Sequence, residues 1–290
     1  MGSGSPAVVL SDGVGCAGFV WRHLGSALAP RYRVIHWNYR GHGRSAIPRD
    51  RYRVTLDDCV EDLLAVLDAA GERRAVLAGH SMGVQVVLEA HRRAPDRVAG
   101  LLLICGGPGR LLDSFHDSPL LGRLFPYARE AVEAFPGLAK TLLRKVVPTE
   151  LAYQLGSTLE TNRRLIRRAD LWPYLEGVAE MDPGLFVRML ASAGAHDAGD
   201  HLAKVDVPTL IVAGEDDSWT PMWLSVRMQA LIPGSEMVVL PGGTHVGPLE
   251  HPALVDRRVV EFLDRRLGGA GPSGARAPRR KARRAAQGPR

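Results

Sequence analysis

Apolar residues along this chain follow two alternating patterns. Short uninterrupted runs, rich in β-branched and aliphatic side chains, occupy residues 7–10, 32–37, 74–78, 100–105, 209–213 and 236–240. None alternates apolar with polar, so each predicts a strand buried on both faces, as in a parallel sheet. Between them, residues 56–70, 84–94, 223–231 and 253–267 carry apolar positions three and four apart. That spacing predicts amphipathic helices. Strands alternating with helices predict an α/β fold, a mostly parallel central sheet with helices on both faces.

One interval breaks the rhythm. From Gly106 to about Val205 there is no strand pattern, only helical stretches interrupted by prolines such as Pro119, Pro126, Pro136 and Pro173. Residues 108–202 therefore read as a helical insertion over the carboxyl edge of the sheet, where open α/β sheets place their sites. A second helical domain with no role at the site is the alternative. Residues 1–107 and 203–267 form the core.

Composition adds little to this picture, but charge adds a boundary. The net charge of +6 arises at one end: residues 268–290 hold seven basic side chains and no acid, leaving 30 basic and 31 acidic residues elsewhere. That Gly-, Ala-, Pro- and Arg-rich end cannot bury a core, so a disordered basic tail is expected. It suits weak, salt-sensitive contact with polyanions, and no specific nucleic-acid site. The three cysteines, an odd number with no C-x-x-C spacing, argue against a disulfide framework or a zinc site. No run approaches the roughly 18 apolar residues of a membrane span, and the first residues lack a signal-peptide pattern. A cytoplasmic location is expected.

The candidate chemistry begins at Gly79-His80-Ser81-Met82-Gly83, a G-x-S-x-G pentapeptide between a predicted strand and a predicted helix. Such a junction forces Ser81 into a tight turn that tolerates only small residues two positions either side. It also places the hydroxyl at a helix N-terminus, where N–H groups favour developing negative charge. A serine hydroxyl needs a base, and the base an orienting acid. Two later strand ends offer them: Asp217 in Gly214-Glu215-Asp216-Asp217, followed by Thr220-Pro221, and His245 in Gly242-Gly243-Thr244-His245.

These three motifs, in this order, resemble the α/β-hydrolase superfamily over residues 7–267. Its acid loop often reads G-x-x-D before a T-P pair, and its histidine loop G-G-x-H before an acidic-His-Pro turn, here Glu250-His251-Pro252. The resemblance implies the α/β-hydrolase fold with residues 108–202 as its variable cap. It implies Ser81 as nucleophile, His245 as base and Asp217 as acid, with Asp216 the less favoured acid by spacing. His42, in an R-G-H-G-x-S loop, is expected to brace the site. His80 is expected to pack sideways, His251 to lie at the surface or cap a helix, and Cys16 and Cys105 to be idle thiols.

Two backbone donors should bind an oxyanion, the N–H of Met82 and, from the loop Ser11-Asp12-Gly13-Val14-Gly15, that of Val14. Asp12 departs from the family's usual histidine, and its carboxylate is expected to turn away from the oxyanion. The family commonly has a β-hairpin before the first strand, and only residues 1–6 precede residue 7 here, so the sheet is shorter at that edge or the start is misplaced. The implied reaction is two-step acyl transfer on a carboxylic ester or related acyl bond, with no metal and no organic cofactor. A serine nucleophile argues against the epoxide hydrolase and haloalkane dehalogenase branches. The insertion's Leu111, Phe115, Leu121, Phe125, Tyr127 and Met189, with Trp172, Tyr174 and Phe186, line an apolar acyl pocket or form the insertion's own core. The rival reading is a non-catalytic small-ligand receptor on the same fold, favoured only by Asp12.

Overall fold

A computed structural model describes residues 1–268; the basic tail lies outside the described residues. Six strands, β1 (Ala7–Ser11), β2 (Val34–His36), β3 (Ala75–His80), β4 (Val98–Ile104), β5 (Thr209–Gly214) and β6 (Glu236–Leu240), form one sheet in the order β2-β1-β3-β4-β5-β6. Every neighbouring pair is parallel. The chain order reverses beside β1, so the carboxyl ends of β1 and β3 flank a switch point where loops diverge and leave a crevice.

Helices cover both faces. In chain order they are α1 (Arg22–Leu28), α2 (Leu56–Ala69), α3 (Met82–Arg93), α4 (Leu120–Ala134), α5 (Pro136–Val146), α6 (Glu150–Glu160), α7 (Arg168–Glu180), α8 (Pro183–Ala195), α9 (Met222–Leu231), α10 (Gly247–Glu250) and α11 (Pro252–Leu267). Alternate strand residues feed two cores. Val9, Leu77, Leu101 and Ile211 pack with α2, α3 and α8, while Val8, Val76, Leu102 and Val212 pack with α1 and α11. Both sets are fully buried, which explains the unbroken apolar runs.

The strand at 32–37 is shorter than its sequence suggests. Tyr32 lies before β2 and its hydroxyl donates to Asp264 on α11 (2.7 Å), while the Trp37 indole leaves the sheet edge to bind Ser11 Oγ (3.1 Å). Hydrogen bonds to neighbouring elements thus take both ends of an aromatic run that pattern alone assigns to a strand. Between β4 and β5 lie α4–α8, and the only strand-like pairing among the described residues there is the bridge between Gly109 and Asp197.

The junction of β3 and α3 is tighter than the hydrophobic spacing implied, because the helix starts immediately after Ser81. A Cβ on Gly79 would lie 2.2 Å from Gly83 O, and one on Gly83 would lie 2.3 Å from Ser11 O. Backbone, not a flexible side chain, blocks both positions. Gly83→Ala should therefore destabilise the fold by about 2 kcal/mol or more, or prevent folding. Gly156→Ala, on α6 with nothing within 4 Å of the added carbon, should be neutral or stabilising by up to about 1 kcal/mol. Urea titration of both variants checks this; equal midpoints would contradict it.

Candidate functional site

Ser81 leaves β3 with φ 56° and ψ −121°, a conformation that side-chain-bearing residues rarely adopt. Its own N–H donates to the carbonyls of Ile104 (3.2 Å) and Cys105 (3.1 Å) at the end of β4. These bonds hold the strained turn and aim the hydroxyl above the sheet. Ser81 Oγ lies 2.9 Å from His245 Nε2. His245 Nδ1 in turn lies 3.0 and 3.1 Å from the two oxygens of Asp217. Residues 164 and 28 positions apart thus form one hydrogen-bonded chain.

Asp217 is almost fully buried and accepts further bonds from the N–H groups of Trp219 and Thr220 (both 2.9 Å) and from Thr220 Oγ1 (2.7 Å). Burial alone would raise its pKa. The charge and hydrogen bond of His245, with the Thr220 donors, outweigh burial and hold it below the usual carboxylate range. Asp216 is exposed and only its backbone participates, its N–H donating to Gly243 O (2.8 Å). In sequence, Thr220 stands out only as part of the T-P pair that marks the acid loop, and neither it nor Trp219 shows there that it donates to Asp217.

Three other histidines have separate environments. His80 is fully buried, and its Nε2–H donates to the His245 carbonyl (2.9 Å), tying the two loops together. Burial, and then the adjacent His245, push the His80 imidazole down to about 3. His42 Nδ1–H donates to Arg40 O and its Nε2 accepts the Gly15 N–H, both at 3.0 Å. Burial also lowers the pKa of His42, so it stays neutral and keeps the acceptor that Gly15 requires. His251 stands before α11 without a side-chain cap bond.

The loop after β1 runs against the serine. A Cβ on Gly13 would lie 2.9 Å from Ser81 Cβ and 3.4 Å from its Oγ. Among the described residues, neither the Val14 nor the Met82 N–H is bonded to a protein acceptor. Asp12 is buried, with Oδ2 at 2.7 Å from His36 Nε2 and Oδ1 unpartnered. The three thiols are buried, and burial holds those of Cys16 and Cys105 well above their ordinary pKa.

The helical insertion reaches this region at two places. Phe186 on α8 and Val178 on α7 stand against Gly15. A cavity of about 270 Å³ opens beside them, lined by Gly15, Gly18 and Phe19 and by Pro173, Tyr174 and Gly177 of α7. The corner after α6 is pinned to both loops of the site. Glu160 accepts from Ser218 (2.7 Å), Asn162 Nδ2 donates to Gly242 O (2.9 Å), and the buried Glu250 accepts from Asn162 N–H (2.7 Å) and Thr244 N–H (2.6 Å). Of the aromatic and aliphatic residues considered for a pocket, Phe125 packs in the insertion's own core with Leu112 and Val187, whereas Tyr127 is exposed.

The lowered His80 pKa has a consequence for stability. The unfolded chain, with histidine near 6.5, binds a proton that folded His80 refuses down to about 3. Its contribution is complete above pH 6.5 and is lost as pH falls from there toward 3. Urea unfolding at pH 7 and pH 4.5 should show a smaller pH-dependent loss in His80→Gln than in the wild type. Identical losses would contradict burial of a neutral imidazole.

A profile for the alpha/beta hydrolase fold matches residues 6–252. The chain is 27% identical over 264 residues to a putative carbamate hydrolase RutD of Azorhizobium caulinodans, covering 90% of this chain and 92% of that protein. It is 28% identical over 282 residues to a 2-hydroxy-6-oxononadienedioate/2-hydroxy-6-oxononatrienedioate hydrolase of Burkholderia vietnamiensis, covering 91% and 89%. Among solved structures, the enol-lactonase of Burkholderia xenovorans superposes with a TM-score of 0.71 at 21% identity, covering 90% of this chain and 92% of that one. With a matching profile, full-length relatives named as hydrolases and the same fold, this chain is an enzyme and belongs to the alpha/beta hydrolase fold family.

Proposed function

We propose that the protein is a serine hydrolase that cleaves a carboxylic ester, or a related lactone or thioester, carrying an apolar acyl or alkyl group. The unbroken Ser81–His245–Asp217 hydrogen-bond chain carries this reading. Ser81 Oγ attacks the carbonyl carbon as His245 Nε2 takes its proton. The Met82 and Val14 N–H groups receive the charge that develops on the carbonyl oxygen. Collapse of the tetrahedral intermediate expels the alcohol, which takes the proton from His245, and leaves an acyl group on Ser81. Water then attacks that ester with His245 again as base, releasing the acid and restoring the serine. Asp217 fixes the imidazole tautomer and balances its positive charge.

His42 supports this assignment from behind, because its bond to Gly15 N–H holds the loop that carries Val14. The cavity between that loop and α7 is the candidate acyl pocket, lined mainly by glycine, proline and aromatic residues with one cation, Arg22. Asp12 was the one argument for a receptor without catalysis. One of its carboxylate oxygens is instead engaged by His36 Nε2.

A fluorophosphonate probe should label the wild type covalently, Ser81→Ala not at all, and His245→Ala at least about 10³-fold more slowly. An unlabelled but folded wild type would overturn the reading in favour of a binding protein. The choice of acid is checked separately. Asp217→Asn should lower kcat for an acyl-chain ester on the order of 10³- to 10⁴-fold, by removing the group that fixes the tautomer, while Asp216→Asn should remain within about twofold. A larger loss in Asp216→Asn would reassign the acid.

A further inference from the structure

The loop after β1 is bonded to one stretch of chain, residues 36–42, at and beyond the end of β2. His36 Nε2–H donates to Asp12 Oδ2 (2.7 Å) and the Trp37 indole N–H to Ser11 Oγ (3.1 Å). The Tyr39 hydroxyl donates to Asp12 O (2.8 Å), and His42 Nε2 accepts the Gly15 N–H (3.0 Å). Trp37, Tyr39 and His42 are buried, whereas the His36 side chain is 28% exposed.

His36 differs from the other three in touching both ends of the loop. At the start it binds Asp12, the neighbour of Gly13, and Gly13 lies against Ser81. At the end its ring lies against Gly18, where a Cβ would fall 2.8 Å from His36 Cε1. Gly18 has a φ of 88°, which suits glycine, and it lines the cavity beside α7. Residues 12–18, with Val14 among them, therefore bend around one imidazole.

Asp12 makes this arrangement exacting. It is buried, and a buried carboxylate is tolerated only where donors meet it. Among the described residues His36 is its one side-chain partner, and Oδ1 has none. Hydrogen bonds to a carboxylate are stronger than neutral ones, so the peptide units that follow Asp12 depend on His36 for their place. An oxyanion donor works by being aimed before charge develops, and a misplacement of about 1 Å costs on the order of a hundredfold. We propose that His36 is a positioning residue: by binding Asp12 and packing on Gly18 it fixes the loop that presents the Val14 N–H to the oxyanion. This rests on the acyl-transfer reading above and gives His36 no part in proton transfer.

The test is fluorophosphonate labelling, resolved into its maximal rate and the half-saturating probe concentration, with the melting temperature measured alongside. The phosphonyl oxygen draws on the same donors as a carbonyl oxygen. His36→Ala should lower the maximal rate at least about tenfold and leave the half-saturating concentration within about twofold. His36→Gln, whose amide N–H can stand where Nε2–H stands, should recover to within about threefold of the wild type. Asp12→Ala/His36→Ala removes the buried carboxylate as well, so no unpaired charge opposes its folding. Its maximal rate should fall by the same factor as in His36→Ala, because the two side chains act as one unit. Folded alanine variants with a lower melting temperature but the wild-type maximal rate would overturn the inference and leave the serine hydrolase reading intact. A loss confined to the half-saturating concentration would do the same, by assigning His36 to binding. A folded wild type that the probe does not label overturns that reading and this inference with it.

Discussion

Gly83 sits so close to the Ser11 and Asp12 carbonyls that the first turn of α3 and the end of β1 share one surface. This contact sets the position of everything above the sheet. It presses the N-terminus of α3 against the loop after β1, so that Gly13 meets the Ser81 side chain and the Val14 and Met82 N–H groups remain free of protein acceptors. Ser81 must then turn through a positive φ, which costs about 1–3 kcal/mol. Two carbonyls at the end of β4 receive its N–H and help hold the turn. A methyl group between the helix and β1 would separate the same groups that the geometry brings together.

Around that contact, polarity is divided among groups with different surroundings. Asp217 keeps its charge in a buried place because four donors converge on it from Trp219, Thr220 and His245. His80 and His42 are kept neutral by burial and act through single directional bonds, one to the His245 backbone and one to Gly15. A positive charge on His42 would remove its bond, because a protonated His42 could not accept from Gly15. The loop after β1 is thus tied to the segment after β2, and the end of β3 and the loop after β5 are tied to the loop after β6, with the buried Asp217 carboxylate beneath His245.

The sequence carried the fold because the physics that decides it is local. Strands buried on both faces must be apolar throughout, and the β3–α3 turn demands glycine at 79 and 83. The order of Ser81, Asp217 and His245 was legible for the same reason, since each follows a recognisable strand. What escaped were bonds made across long sequence separations. Nothing near Asn162 signals that its side chain reaches Gly242, and Glu250 was visible only as part of a turn, not as the carboxylate that holds Thr244 and Asn162 together. The insertion was the least legible part. Its apolar residues look alike in sequence, yet Phe125 is buried and Tyr127, two positions later, is not. Helical rotation separates them, and the direction of the core was not encoded locally.

The pinned corner after α6 divides the insertion into unequal parts. Residues 160–162 are bonded to the loops that carry Asp217 and His245, so a change there is transmitted to the spacing of those side chains. The hairpin of α4 and α5 has no such bonds to either loop among the described residues and meets the rest of the insertion mainly through α7 and α8. Substitutions in the two parts therefore differ in how far their effects travel. A substitution in α4 or α5 meets no bond to the loops of Asp217 and His245 among the described residues, whereas one in the short segment at 160–162 reaches both loops.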